Sequence, residues 1–381
     1  MSGAAAGRRK IATVFMRGGT SNALLFHVDD LPPAGPTRDD FFCRAMGSPD
    51  PYGRQLDGMG GGISSLSKVL FLSPPSRPDV DFDYTFGQVA IDQHLVDYAA
   101  NCGNMTSAMG PFAVDAGYFQ AADGPVLVRL FNTNMRQVVH ARFMVRDGQT
   151  VEVGDLEIPG VGGTGAPIQL DFMANDEAGA TPLPSGQVVD GIVDAGGAEV
   201  AVSVVNATNV VAFARAADLG LTGAETIAAI ENDAALMARL EDLRRRAAVV
   251  AGLADSEDNT AAASPKIALV GPPAPFTALD GRQYPAAAVD LSARVLSMGN
   301  VHRAIPLTAA MCTAAAAAIS GSTVHGARQV AGDAAGELRI GTPSGVVKAA
   351  AEVTHIDGQW QVPRTSTFRT ARRLMAGWVH G

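Results

Sequence analysis

The sequence predicts an α+β fold of two similar domains, each made of short strands around one enclosed helix. Three observations carry this. The 42 glycines and 22 prolines are spread through all 381 residues and separate short apolar runs, the pattern of many strands joined by turns. Two stretches, NCGNMTSAMGPFAVDAGYF (Asn101–Phe119) and HRAIPLTAAMCTAAAAAISG (His302–Gly321), are small and apolar on every face, as helices enclosed by protein all round should be. The polar, Pro/Gly-rich NDEAGATPLPSGQ (Asn175–Gln187) reads as a linker. The expected organisation is a disordered segment over 1–10, a first domain over 11–182 and a second over 183–381.

Taken in order, IATVFMRGGTSNALLFHV (Ile11–Val28) reads as strand, glycine turn, strand. Lys68–Leu72 and DVDFDYTFGQVAI (Asp79–Ile91) continue as strands, and alternation returns in Pro125–Val145 after the first enclosed helix. Beyond the linker, Glu199–Arg215 and Pro265–Gly271 are strand-like. Ala224–Leu253 has apolar residues at three- and four-residue spacing, which predicts an amphipathic surface helix. Strands around one enclosed helix thus recur in each half, an architectural duplication.

Composition excludes several classes. Charged residues are 18% and apolar ones 47%, so the chain buries most of itself. Net charge is −9, without a basic cluster beyond Arg244–Arg246, which argues against nucleic acid. No apolar stretch reaches the roughly 18 residues of a membrane span. Three separated cysteines argue against disulfides and zinc. With no signal-peptide pattern at the start, a cytoplasmic protein is expected. GMGGGISS lacks the strand-then-helix setting of a phosphate loop, so no dinucleotide, flavin or metal cofactor is expected.

The chemistry concentrates at two places. Lys68 stands at the head of the apolar run Val69–Leu72, where partial desolvation would lower an amine's pKa and make it usable as a base. Cys102 falls at the start of the first enclosed helix, where unpaired N–H groups favour anions and a thiolate. Taken alone, each has a bland reading: a lysine snorkelling at a strand edge, and a small core filler. Around them, Arg17, Gly18, Gly19, Thr20 and Ser21 in the glycine turn, Ser64 and Ser65 in the serine turn, and Asn101, Gly103, Asn104 and Met105 at the helix start are candidates to hold a carboxylate. At the second helix start, His302, Arg303 and Thr308 are candidates too. Cys312 and Cys43 read as core packing.

These motifs resemble those of a known family. NCGNMTSAMGPFA resembles the first cysteine motif of the diaminopimelate epimerase-like fold. MRGGTS (Met16–Ser21), DGMGGGISSLSK (Asp57–Lys68), FGQV (Phe86–Val89) and HRAIPLT (His302–Thr308) together resemble its PrpF branch, in the same order and over nearly the whole chain, to IGTPSG (Ile340–Gly345) and RTARRLMAG (Arg369–Gly377). The resemblance implies two domains, each a β-barrel-like sheet wrapped around a central helix, with the active site between them and a last helix that can pack back on the first domain. It implies a cofactor-independent isomerase that shifts a double bond by 1,3 proton transfer in an aconitate-, 2-methylaconitate- or 4-oxalomesaconate-like acid, with Lys68 and Cys102 as the acid/base groups. Which of the two deprotonates stays open, as does a homodimer. Ile305 and Pro306 stand where diaminopimelate epimerases carry a second cysteine, which disfavours a two-thiol mechanism. Asn22 and Ala23 follow GGTS where many PrpF-type sequences have lysine and glycine, which bears on substrate choice. Two alternatives are a Schiff-base keto-acid tautomerase using Lys68 and a non-catalytic accessory protein to an aconitase-type dehydratase.

Overall fold

A computed structural model describes residues 9–99, 101–174, 181–261, 264–297, 299–329 and 337–381. The chain divides into two compact units, Met1–Phe172 with Phe368–Gly381, and Met173–Thr367. Residues 182/183, where the sequence suggests a cut, lie inside the second unit, and the C-terminal tail belongs to the first. Of the segment expected to be disordered, residues 1–8 lie outside the described residues, whereas Lys10 already opens a strand.

In the first unit, β1 (Lys10–Gly18) and β2 (Ser21–His27) form a hairpin closed at Gly18 and Ser21. Helix α1 (Pro36–Met46) leads to β3 (Lys68–Ser73), which runs parallel to β2. Strand β4 (Phe82–Val89) pairs antiparallel with β3 and sets Gln88 opposite Lys68. After α2 (Gly103–Asp115), β5 (Gly124–Asn132) runs parallel to β4, and β6 (Gln137–Arg146) pairs antiparallel with β5. Val69 and Phe71 pack with Phe41 and Phe42 of α1. Because side chains alternate along a strand, Lys68 and Leu70 therefore face the other side of the sheet, that of α2. Residues Met105–Val114 of α2 are all buried, which only a helix surrounded by strands can manage.

The second unit repeats this plan. A hairpin of β7 (Glu199–Asn206) and β8 (Val210–Arg215) is followed by α3 (Ala234–Val250) and by β9 (Lys266–Gly271), parallel to β8. Strand β10 (Leu291–Ser297) is antiparallel to β9. Then come α4 (Leu307–Ala318), β11 (Glu337–Thr342), parallel to β10, and β12 (Gly345–Ile356), antiparallel to β11. Residues Ala309–Ala317 of α4 are again all buried, and α3 buries Leu240, Leu243, Arg244, Ala247 and Ala248. The expected α+β class and the duplication of one helix-centred module are both present.

The chain ends in β13 (Gln359–Arg369) and β14 (Ala371–His380). For this last segment the resemblance implies a helix that can pack back on the first domain. It is a strand, paired antiparallel with β1 from Lys10↔His380 to Gly18↔Ala371, because a full ladder of backbone hydrogen bonds outweighs a few tenths of a kcal/mol per residue of helix preference. Among the described residues no helix is long and apolar enough to cross a membrane.

Candidate active site

The site of the first unit is built where the β1–β2 turn meets the start of α2. Gly18 allows the contact: a Cβ there would lie 2.7 Å from the Asn104 carbonyl oxygen and 3.0 Å from the Met105 Cα. Gly19, with φ of 50°, likewise leaves no room for a side chain beside Asn104. The Asn104 side chain ties the two elements together, donating from Nδ2 to Thr20 Oγ1 at 3.1 Å. Its Oδ1 accepts from Arg369 Nε at 3.0 Å. Arg17 steadies the turn through Nη1, which donates to the carbonyls of Gly19 (3.0 Å) and Thr370 (2.9 Å).

Cys102 occupies the N-cap position of α2 with an extended backbone, and no side chain caps the first turn. Its Sγ donates to Oγ of the buried Ser21 at 3.7 Å. A polar network fixes its backbone from behind. The Cys102 N–H donates to Asn101 Oδ1 (2.7 Å), which also accepts from Asn132 Nδ2 (2.8 Å). Asn132 Nδ2 donates its other proton to the hydroxyl of the fully buried Tyr84 (2.6 Å), which in turn meets Thr106 Oγ1 (2.9 Å). Thr106 closes the ring through Oγ1 to the Cys102 carbonyl at 3.3 Å. Burial pushes the Tyr84 phenol up to about 12, so it stays neutral.

Lys68 is 6% exposed, with Nζ 5.3 Å from the Phe86 ring centroid. Burial holds its ammonium below the ordinary lysine pKa, and the charge of Cys102 acts in the opposite direction, so amine and thiol are electrostatically coupled. Nζ donates to Gln88 Oε1. Cys102 also acts on Arg369, whose guanidinium burial pulls down to about 10. The charge of Cys102 thus acts on Lys68, Tyr84 and Arg369 alike.

The candidates drawn from the sequence fall into three groups. Arg17, Gly18, Gly19, Thr20, Ser21, Asn101, Cys102, Gly103, Asn104 and Met105 converge at the hairpin–helix junction. Ser64 and Ser65 lie in a short 3₁₀ turn, Ser64–Leu66, just before Lys68; the Ser64 carbonyl accepts from Gln88 Nε2 at 3.1 Å. His302, Arg303 and Thr308 belong to the second unit. There His302 Nδ1 accepts from Ala304 N, the Arg303 carbonyl from Ser344 Oγ, and the Thr308 carbonyl from Thr208 Oγ1. Sequence reasoning gave no role to Gln88, Tyr84, Asn132 or Arg369. Gln88 left only a faint trace, as part of the FGQV motif. Arg369 left none, standing 265 residues from its partner Asn104. Among the described residues no three His, Cys, Asp or Glu side chains converge as metal ligands would.

An α+β protein with two helix-centred modules, one of them carrying an amine and a thiol whose charges act on each other, is of the diaminopimelate epimerase-like class. A family model described as "PrpF protein" matches residues 8–381, and the chain belongs to that family. It is 40% identical to a 2-methyl-aconitate isomerase of Cupriavidus necator, over 97% of this chain and 96% of the relative. Identity is 37% to a 3-methylitaconate isomerase of Eubacterium barkeri, over 97% of each chain. It is 34% to a 4-oxalomesaconate tautomerase of Pseudomonas putida, over 98% and 96%. A crystal structure of methylitaconate-delta-isomerase superposes with a TM-score of 0.90 at 37% identity, covering 98% of this chain and 96% of that one. The protein is therefore an enzyme, an isomerase.

Proposed function

We propose that the enzyme moves a double bond by 1,3 proton transfer in an unsaturated di- or tricarboxylic acid, without a cofactor, using Lys68 and Cys102. The observation that carries this is the pairing of a buried amine, its pKa lowered by desolvation, with a thiol close enough to act on its charge. Neutral Lys68 removes a proton from the carbon next to a carboxylate and becomes an ammonium. The allylic carbanion spreads its charge onto that carboxylate, held by the uncapped N–H groups of α2 and by the Arg369 guanidinium. The Cys102 thiol delivers a proton to the far carbon and becomes a thiolate; proton return from the ammonium to the thiolate, directly or through water, resets the pair. Relatives named for aconitate, itaconate and oxalomesaconate derivatives support this substrate class.

The test is Lys68→Met, followed by solvent deuterium entry into trans-aconitate, 2-methylaconitate and 4-oxalomesaconate. Loss of a positioned base lowers exchange by about 10²–10⁴-fold. Wild-type exchange in the variant removes Lys68 from the mechanism.

A further inference from the structure

Gln88 faces Lys68 across the β3–β4 pair, and its amide has one orientation available. Nε2 carries two protons and both are used on backbone carbonyls, Ser67 O at 2.8 Å and Ser64 O at 3.1 Å. A carbonyl can only accept, so the nitrogen end must stay there and Oε1 must point at Lys68 Nζ. Turning the amide over would set its oxygen against two carbonyls and its NH₂ against an amine that is itself a donor. The turn behind it is fixed as well: the wholly buried Gln55 donates to Ser67 Oγ at 2.7 Å and to Ser48 Oγ at 2.8 Å, and its Oε1 accepts from Gly62 N. Gln88 is therefore a rigid acceptor set in a rigid turn.

We propose that Gln88 is a positioning residue for the proton-transferring amine: by holding one N–H of Lys68 it aims the lone pair of the free base, and it ties that base to the serine turn Ser64–Ser67. A neutral amine has three N-substituents and one lone pair in tetrahedral array. With the Cε bond and one N–H fixed, the lone pair keeps two directions instead of three. An amide does this without adding charge, so the amine stays easy to deprotonate, whereas a carboxylate in the same place would hold it as ammonium. Cys102 at the start of α2 also acts on this charge, and the Phe86 ring centroid lies 5.3 Å from Nζ.

The inference rests on the proposed role of Lys68, and two readouts separate the failure of one from the failure of the other. The first needs no turnover: the pH dependence of Lys68 labelling by a lysine-directed reagent, read by peptide mass spectrometry, in wild type, Gln88→Glu and Gln88→Met. The Glu variant should move the Lys68 midpoint up by about 1–3 pH units, as an opposite charge in contact does. The second is steady-state kinetics on a 2-methylaconitate-type acid. Gln88→Met, of similar length and volume, should lower kcat about 10²-fold with KM within about threefold, the signature of lost aim rather than lost binding. An unmoved Lys68 midpoint in the Glu variant, or wild-type kcat in the Met variant, overturns the proposal; either variant decides alone if the other fails to fold. A shifted midpoint in a protein that turns over none of the acids would leave the amide–amine link standing and sink the reaction assigned to it.

Discussion

Replacing Gly18 by alanine tests the hairpin–helix junction by geometry alone. The added Cβ would sit 2.7 Å from the Asn104 carbonyl oxygen, and ordinary contact begins near 3.4 Å, so the turn must retreat by about 0.7 Å (3.4 minus 2.7). The obstacle is backbone on both sides, which leaves no side chain to swing away. A retreat of that size would stretch the Thr20–Asn104 bond from 3.1 Å to nearly 3.8 Å and move Ser21 off Cys102. Overpacking costs about 1–3 kcal/mol, and alanine returns about 0.5–1 kcal/mol because it loses less chain entropy than glycine on folding. The net is about 0–2.5 kcal/mol, a fall in Tm of at most roughly 10 °C. Catalysis should suffer far more, since displacing reacting groups by about 1 Å is worth about 10²-fold. Gly377→Ala in β14 is the control: its Cβ meets nothing within 4 Å and it should behave as wild type. Scanning fluorimetry and kcat/KM on the same preparations check both. A Gly18→Ala enzyme within about threefold of wild type would show that the close approach of turn and helix is packing only.

Two further outcomes follow from the charges. If neutral Lys68 is the base, kcat/KM falls on the acid side, and because burial lowers the folded pKa, the midpoint of that limb lies below 10.5; a pH–rate profile with its acid limb centred at or above 10.5 contradicts the assignment. Arg369→Met should raise KM for a tricarboxylate about 10–100-fold, the worth of a hydrogen bond to a charged group, with no loss of Tm, because burying the guanidinium already costs the fold; unchanged KM with a lowered Tm would make Arg369 structural.

What the sequence reveals of this site depends on how far apart in the chain the partners stand. Lys68 and Cys102 are each marked locally, one by the apolar run that follows it and the other by the small-residue helix that begins beside it. Gly18 and Gly19 are marked as a turn, though nothing in a Gly-Gly pair says that the turn abuts Asn104 rather than water. Gln88 is invisible as a partner of Lys68 until the β3–β4 register is known, because a slip of one residue would place it on the α1 face. The same holds for Asn132 and Tyr84, which reach Cys102 through the β4–β5 pairing. RTARRLMAG fails differently: its local preference is helical, and only the presence of β1 as an open edge makes it a strand.

The duplication shows where the two units differ at the groups proposed to handle the proton. Each module places a lysine at the first position of the strand parallel to its hairpin, Lys68 in β3 and Lys266 in β9, and burial lowers the pKa of both. The amine is thus a property of the shared scaffold. The modules part at the helix start: the N-cap position holds Cys102 before α2 and Pro306 before α4. The one thiol of the second unit, Cys312, lies within α4, wholly buried and pushed up to about 12, beyond use as an acid or base near neutral pH. A symmetrical two-thiol exchange has no second sulfur to work with. An amine and a thiol, two chemically different groups in the first unit, suit a directional shift of a proton between two different carbons better than the inversion of a single one.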